Sequence, residues 1–167
     1  MSFAQSLLPE FDHEMAGTRR TLERVPEDRL SWRPHPRSST LGELATHLAN
    51  LNSWIVRTVE TDSFDIAPVG APRPRPEPLG SRQALLAAFD GQVAAGRARL
   101  AAATDEQMRA PWTLLAGGKT VFTMPRAACL RSFVMSHGIH HRAQLGLYLR
   151  MLDVPVPGLY GPSADEP

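Results

Sequence analysis

The chain is 167 residues long, the length of one ordinary domain and well below the roughly 250 residues at which a single core usually divides. Its 43% apolar and 21% charged residues suffice for a real core under a solvated surface, which excludes a disordered tail and a membrane bundle. The 18 lysines and arginines are scattered among 17 acidic residues for a net charge of +1, so no clustered basic face marks a nucleic-acid binder.

From Phe3 to Arg24, apolar residues recur at Leu7, Leu8, Phe11, Met15 and Leu22 with charges such as Asp12, Arg19 and Arg20 between them, which predicts one amphipathic helix. Pro26 opens a turn, and SWRPHPRSS follows as irregular chain because each proline biases its predecessor away from helix. Thr40 with Glu43 three residues on predicts a capping box, so a second helix runs through TLGELATHLANLNSWIVRTVE. Its apolar stripe is Leu41, Leu44, His47, Leu48, Leu51, Trp54 and Ile55.

Residues 66–78, IAPVGAPRPRPEP, are too rich in proline for helix or central strand and read as an extended crossover loop. A third helix is expected from about Ser81 to Ala103, with Leu85, Leu86, Phe89, Val93 and Leu100 inward; Gly91 and Gly96 each weaken it by ~1 kcal/mol relative to alanine. From Pro111 to Phe122, WTLL and TVF flank AGGK, whose glycines suit the positive φ of a tight hairpin turn. Pro125 suits the first turn of a fourth helix, which carries SHGIHHRAQLGLYLRML and stops before the VPVPGLYGPSADEP tail. Four long helices with a long crossover and a hairpin-bearing connection predict an all-α four-helix bundle. One domain is expected over 1–167, with 159–167 as an extended tail.

The N-terminal MSFAQSLLPEFDHE has no charged region leading into a long apolar stretch, and no run of about 18 apolar residues occurs, so neither signal peptide nor membrane span is expected. Cys129 is the only cysteine, which excludes an intrachain disulfide. The expected compartment is the cytoplasm.

His137 and His141, four residues apart on the fourth helix, project about 40° from each other and one turn apart, so two imidazoles share a face. His47 stands on the apolar stripe of the second helix. A lone histidine on such a face is usually a core residue hydrogen-bonded to a neighbour. Three on converging faces raise a sharper possibility, because each buried ring must satisfy two nitrogens and a shared cation serves all three. On spacing alone both readings stand. His13, His35 and His140 fall off the stripes, and Cys129 reads as a small apolar filler rather than a nucleophile or ligand. Trp32, Trp54 and Trp112 suit either core or a pocket mouth.

The segments LGELATHLANLNSWI and SHGIHHRAQLGLYLRMLDVPVPGLYGPSADE, with PEDRLSWRPHPRSSTLGELATHL leading into the first, resemble the DinB-like family of metal-binding four-helix bundles. The likeness covers nearly the whole chain, and the H-x3-H followed by R-x-Q is its most specific part. It implies an up-up-down-down bundle with a small β-hairpin between helices 3 and 4, and a homodimer. It also implies a divalent ion, zinc or nickel before manganese or iron, held by His47, His137 and His141. Ala143 departs from the glycine that often precedes the motif glutamine.

Some members of the family resemble thiol S-transferases that use bacillithiol or mycothiol, and a few resemble thiol-dependent isomerases or hydrolases. The implied activity is therefore attack of a low-molecular-weight thiol on a small-molecule electrophile, with Gln144, Tyr148 and Arg142 as candidates to orient the thiol. Three neutral ligands with a position left open suit a catalytic ion, which acidifies a bound thiol for S-transfer or a bound water for hydrolysis. The alternatives are a metal-dependent hydrolase and a non-catalytic metal-binding stress-response protein. No nucleic-acid or membrane partner is expected.

Overall fold

A computed structural model describes residues 3–70 and 77–167. The expected all-α bundle with a small β insertion is present. The first helix, α1 (Phe3–Leu22), buries Ala4, Leu7, Phe11, Met15 and Leu22, the stripe its periodicity predicts. The second begins at the expected capping box: Glu43 N–H donates to Thr40 Oγ1 at 3.1 Å, and Thr40 N–H donates to Glu43 Oε2 at 2.7 Å.

The second helix is not continuous to Glu60. It breaks at Leu51–Asn52 into α2 (Leu41–Asn50) and α3 (Ser53–Glu60). There the amides of Trp54 and Ile55 reach back only three residues, to the Leu51 and Asn52 carbonyls. Asn52 and Ser53 are the poor helix formers of the run, since their side chains compete for backbone groups.

Two short elements escape the sequence reading. β1 (Ser63–Asp65) pairs in parallel with β2 (Pro111–Ala116), which pairs antiparallel with β3 (Lys119–Pro125), so the expected hairpin is part of a three-stranded mixed sheet. The expected glycine turn is present, with Gly117 at φ 61° and Gly118 at φ 75°. The Asp65 carboxylate ties β1 to this turn by accepting from the amides of Gly117 and Gly118 at 3.0 and 2.7 Å. Between α4 (Arg82–Ala102) and β2 lies α5 (Asp105–Arg109), opened by a capping box of Thr104 and Gln107. Of the expected crossover, residues 71–76 lie outside the described residues, and its described ends form neither helix nor strand.

The fourth helix also departs from a uniform 3.6-residue repeat. A single α turn, α6 (Arg126–Ala128), leads into a π-helical segment over Cys129–Met135, and only from Ser136 does α7 (Ser136–Met151) become regular. Wide turns of this kind recur next to functional sites. This one ends two residues before His137.

Ion pairs and contacts fix the helix directions. Arg19 pairs with Asp90 and Arg97 with Asp12, so α1 and α4 are antiparallel. Gly96 faces Ile55 while Arg99 pairs with Glu60, so α3 and α4 run parallel. His47 meets His141, and Thr58 meets Cys129, so the fourth helix is antiparallel to α2 and α3. The bundle therefore runs up-down-down-up rather than the up-up-down-down that the resemblance implies. The reason lies in the connections: the two parallel neighbours are the second and third helices, which the 61–81 crossover joins.

Gly96 earns its place at that parallel contact. A Cβ there would lie 3.0 Å from Ile55 Cδ1 and 3.3 Å from its Cβ, so glycine lets α3 and α4 approach closely. The main core lies between α1, α2, α3, α4 and α7. A smaller one beneath the sheet centres on Trp112, Leu114 and Cys129.

Two arginines that pattern would assign to the surface are buried. Arg126 donates to the Thr58 and Thr61 carbonyls at 2.8 and 2.9 Å and pairs with Asp62, pinning the end of α3 to the start of the fourth helix. Arg142 pairs with the buried Glu14 of α1 at 2.7 Å. The C-terminal segment folds back on these elements: Tyr160 donates to Glu14, and Glu166 pairs with Arg20 and Arg24.

Candidate metal centre

The antiparallel pairing of α2 with α7 brings three imidazoles to one level of the bundle. His47 Nε2 lies 3.4 Å from His137 Nε2, and His141 Nε2 lies 2.7 Å from the same atom. One ring nitrogen from each of the three falls within 4.8 Å of the others. The i, i+4 spacing of His137 and His141 puts both rings on one face, as the sequence predicts, and ring centroids 4.6 Å apart seat His47 against His141.

The electrostatics favour neutral rings. His137 is pushed down to about 4, first by burial and then by the neighbouring charges of His141, His47 and His140. Burial also lowers His47 and His141, with His141 adding to the effect on His47. Three uncharged nitrogens aimed at one point, with no carboxylate among them, form a donor set suited to a divalent cation.

The residues fit such an ion on two further counts. With metal–nitrogen bonds of about 2.0–2.1 Å, tetrahedral ligands sit roughly 3.3 Å apart, close to the His47–His137 spacing; the closer His137–His141 pair would open slightly. His141 Nδ1 donates to Gln144 Oε1 at 2.7 Å, which fixes its tautomer and leaves the Nε2 lone pair facing the other rings. The Nδ1 of His137 is buried with no hydrogen bond of ordinary geometry among the described residues, although the Phe133 carbonyl one turn back favours its protonation. That orphan nitrogen matches a ring whose other nitrogen carries the interaction.

A cleft of about 330 Å³ opens beside His47. Leu51, Trp54, Phe64 and Ile66 give it an apolar wall, and Asn50, Ser53 and Arg57 supply its remaining polar groups. The sheet builds this wall: Phe64 of β1 and Trp54 of α3 meet edge to face with centroids 5.4 Å apart, and Phe133 packs on Trp54 at the same distance.

The other candidates distribute as follows. His13, His35 and His140 are exposed. His140 lies with its ring 5.0 Å from that of His141 but stays outside the cluster. Cys129 is fully buried in the lower core, 3.9 Å from Thr58 Oγ1, and burial raises its pKa, so it is the apolar filler its sequence context suggests. Trp112 is core, Trp54 lines the cleft, and Trp32 packs on Tyr148. Arg142 points away from the histidines into the Glu14 pocket and cannot orient a thiol. Tyr148 donates weakly to the Ser39 carbonyl at 3.3 Å, at the N-terminal end of α2. Ala143 is exposed, so its departure from glycine touches no packed surface.

Arg57 and Phe64 are among the cleft residues that sequence reasoning missed. Both depend on the break between α2 and α3 and on the pairing of β1, neither of which leaves a periodic signal.

A bundle with a β insertion and a three-histidine cluster compatible with divalent-metal binding defines a class of metal-associated helical protein. The chain belongs to the DinB superfamily, which it matches over residues 10–145. No curated protein matches the sequence. Among solved structures it is similar to a DinB-like protein from Bacillus cereus ATCC 10987, with a TM-score of 0.73 and 21% identity over 93% of this chain and 97% of that one. It is also similar to a DinB-like protein from Bacillus subtilis, with a TM-score of 0.70 and 17% identity over 93% and 98% of the two chains. Among the described residues no helix is long and apolar enough to cross a membrane.

Proposed function

We propose that the protein is a divalent-metal-dependent S-transferase, which joins a low-molecular-weight thiol of the bacillithiol or mycothiol kind to an apolar electrophile. The observation that carries this reading is the convergence of the His47, His137 and His141 Nε2 atoms beside an open cleft, with no fourth protein ligand among the described residues. Zinc or nickel suits three imidazoles. A divalent ion held there would supply the acidity that turns a ligating thiol into thiolate at neutral pH.

The chain's own residues do the rest. His47, His137 and His141 stay neutral and so keep the ion's full charge for its exchangeable ligand. Gln144 holds His141 in the tautomer that presents Nε2. Trp54, Phe64 and Ile66 exclude water from one side of the cleft and offer the electrophile an apolar surface. In solution we take the chain to be a homodimer joined through α4, where Ala94, Ala98 and Ala101 lie exposed at helical spacing.

The test is a turnover assay of zinc- and nickel-loaded protein with bacillithiol, mycothiol, glutathione or no thiol against a chlorinated aromatic and an epoxide. Thiol-dependent turnover that disappears in His141→Ala and persists in Cys129→Ala is expected. Metal-dependent turnover without thiol would replace this reading with hydrolysis. Absence of turnover under every condition would favour a non-catalytic metal-binding role.

A further inference from the structure

Among the described residues, Arg57 is the only lysine or arginine that lines the cleft beside His47, and no aspartate or glutamate lines it. Its situation is unlike that of most exposed arginines in this protein. Arg19, Arg97, Arg99, Arg131 and Arg150 each pair with a carboxylate. Arg57 has no such partner among the described residues. Glu60, one turn on and well placed for it on a helix surface, is instead taken by Arg99 at 2.6 Å.

The guanidinium is nevertheless held in place. It stacks on the Phe64 ring at 4.2 Å from its centroid, and Phe64 is fixed in turn by Trp54 and by the pairing of β1 with β2. Stacking covers one face of the guanidinium and leaves its N–H fork, which lies in the plane, available to a planar oxyanion. Between Arg57 and the histidines, Asn50 commits its amide N–H to the Thr46 carbonyl, so its own side-chain oxygen remains to accept from a ligand.

We infer that the cleft selects an anionic thiol, its sulfur toward the histidines and a carboxylate held by the stacked fork of Arg57. This rests on the transferase reading above and names the class of thiol it takes. Ten residues separate His47 from Arg57, at most about 15 Å of helix rise, and both line the one cleft. The distance to be bridged is on the order of 10 Å, the length of about three extended residues. A cleft whose described lining holds one fixed cation and no acid draws such a ligand in by charge as well as by contact.

The test separates the carboxylate contact from the metal. Metal-free and zinc-loaded proteins are titrated calorimetrically with S-methylglutathione, which has no free thiol, and with its dimethyl ester. The acid should bind wild type about tenfold more tightly than the ester in both forms, as expected for one charge-assisted contact. Arg57→Gln should erase that preference and Arg57→Lys should keep part of it, while thermal unfolding midpoints stay close to wild type. The preference should also shrink as salt is raised. Equal binding of acid and ester, no binding of either at millimolar concentration, or a preference that survives in Arg57→Gln would overturn the assignment. Because the metal-free arm involves neither thiol nor ion, such a failure leaves the metal reading intact; a failed zinc titration leaves the preference standing.

Discussion

On one side of the fourth helix, Arg142 enters a pocket where every polar group has a partner. It donates to the Glu14 carboxylate at 2.7 Å and to the Glu14 carbonyl at 2.9 Å, and Tyr160 donates to the same carboxylate at 2.8 Å. On the other side, the adjacent His141 faces two more imidazoles across 4.5 and 4.6 Å between centroids, with no acid among them. Both groups sit in one bundle at the same level of α7. The first is complete without any ligand and ties α1, α7 and the C-terminal segment together. The second is three like groups pressed close, each disfavouring a proton on the next. A satisfied network stabilises the fold, whereas an unsatisfied one of this composition is a binding site held open by the fold around it.

That contrast can be broken most forcefully from the arginine side. Glu14→Ala leaves a guanidinium buried without its counter-charge and should destabilise the protein by about 3–5 kcal/mol in urea unfolding, with the zinc stoichiometry of the folded fraction unchanged. A loss below about 1 kcal/mol would mean the network is less tightly sealed than its geometry indicates.

Next in size comes Gln144→Leu, which releases His141 Nδ1. It should weaken zinc binding about 10- to 100-fold in a chelator competition while unfolding stays near wild type. Equal affinity would show that the tautomer is set by other contacts.

A smaller effect concerns pH. The three histidines have folded pKa values below the ordinary imidazole range, with His137 near 4. The unfolded chain therefore takes up protons first as pH falls. The contribution of His137 to stability is fully present above about 6.5 and is lost as pH drops through about 4, and those of His47 and His141 are lost in the same direction. In metal-free protein His137→Leu should flatten that stretch of the stability profile, and an unchanged slope would contradict the depressed value. The smallest effect is expected for His140→Ala, which should leave metal content unaltered.

The legible parts of the molecule are those written at fixed local spacing. The capping box at Thr40 and Glu43, the paired glycines at 117 and 118, and His137 with His141 all show in the sequence because each needs only its near neighbours. His47 was legible for a related reason: it rides the apolar stripe of its helix, at the edge where its exposed ring meets the half-buried rings of the fourth helix.

What escaped depends on partners far along the chain. Arg142 is an ordinary charge until Glu14, 128 residues away, is placed beside it. β1 has three residues and exists only because β2 lies next to it. The break at Leu51–Asn52 and the π-helical turns at Cys129–Met135 shift phase within apolar runs that still read as continuous. The helix directions illustrate a misweighed signal, since a long proline-rich connection after the second helix is what a parallel second and third helix require.

The most direct measurement is titration of zinc into metal-free protein prepared without a metal-affinity column, for wild type and for His47→Ala, His137→Ala and His141→Ala. Wild type should bind one ion per chain, and each substitution should abolish or severely weaken that binding without unfolding the bundle. Zinc binding of unchanged stoichiometry and affinity in any one of the three variants would contradict the account at its centre.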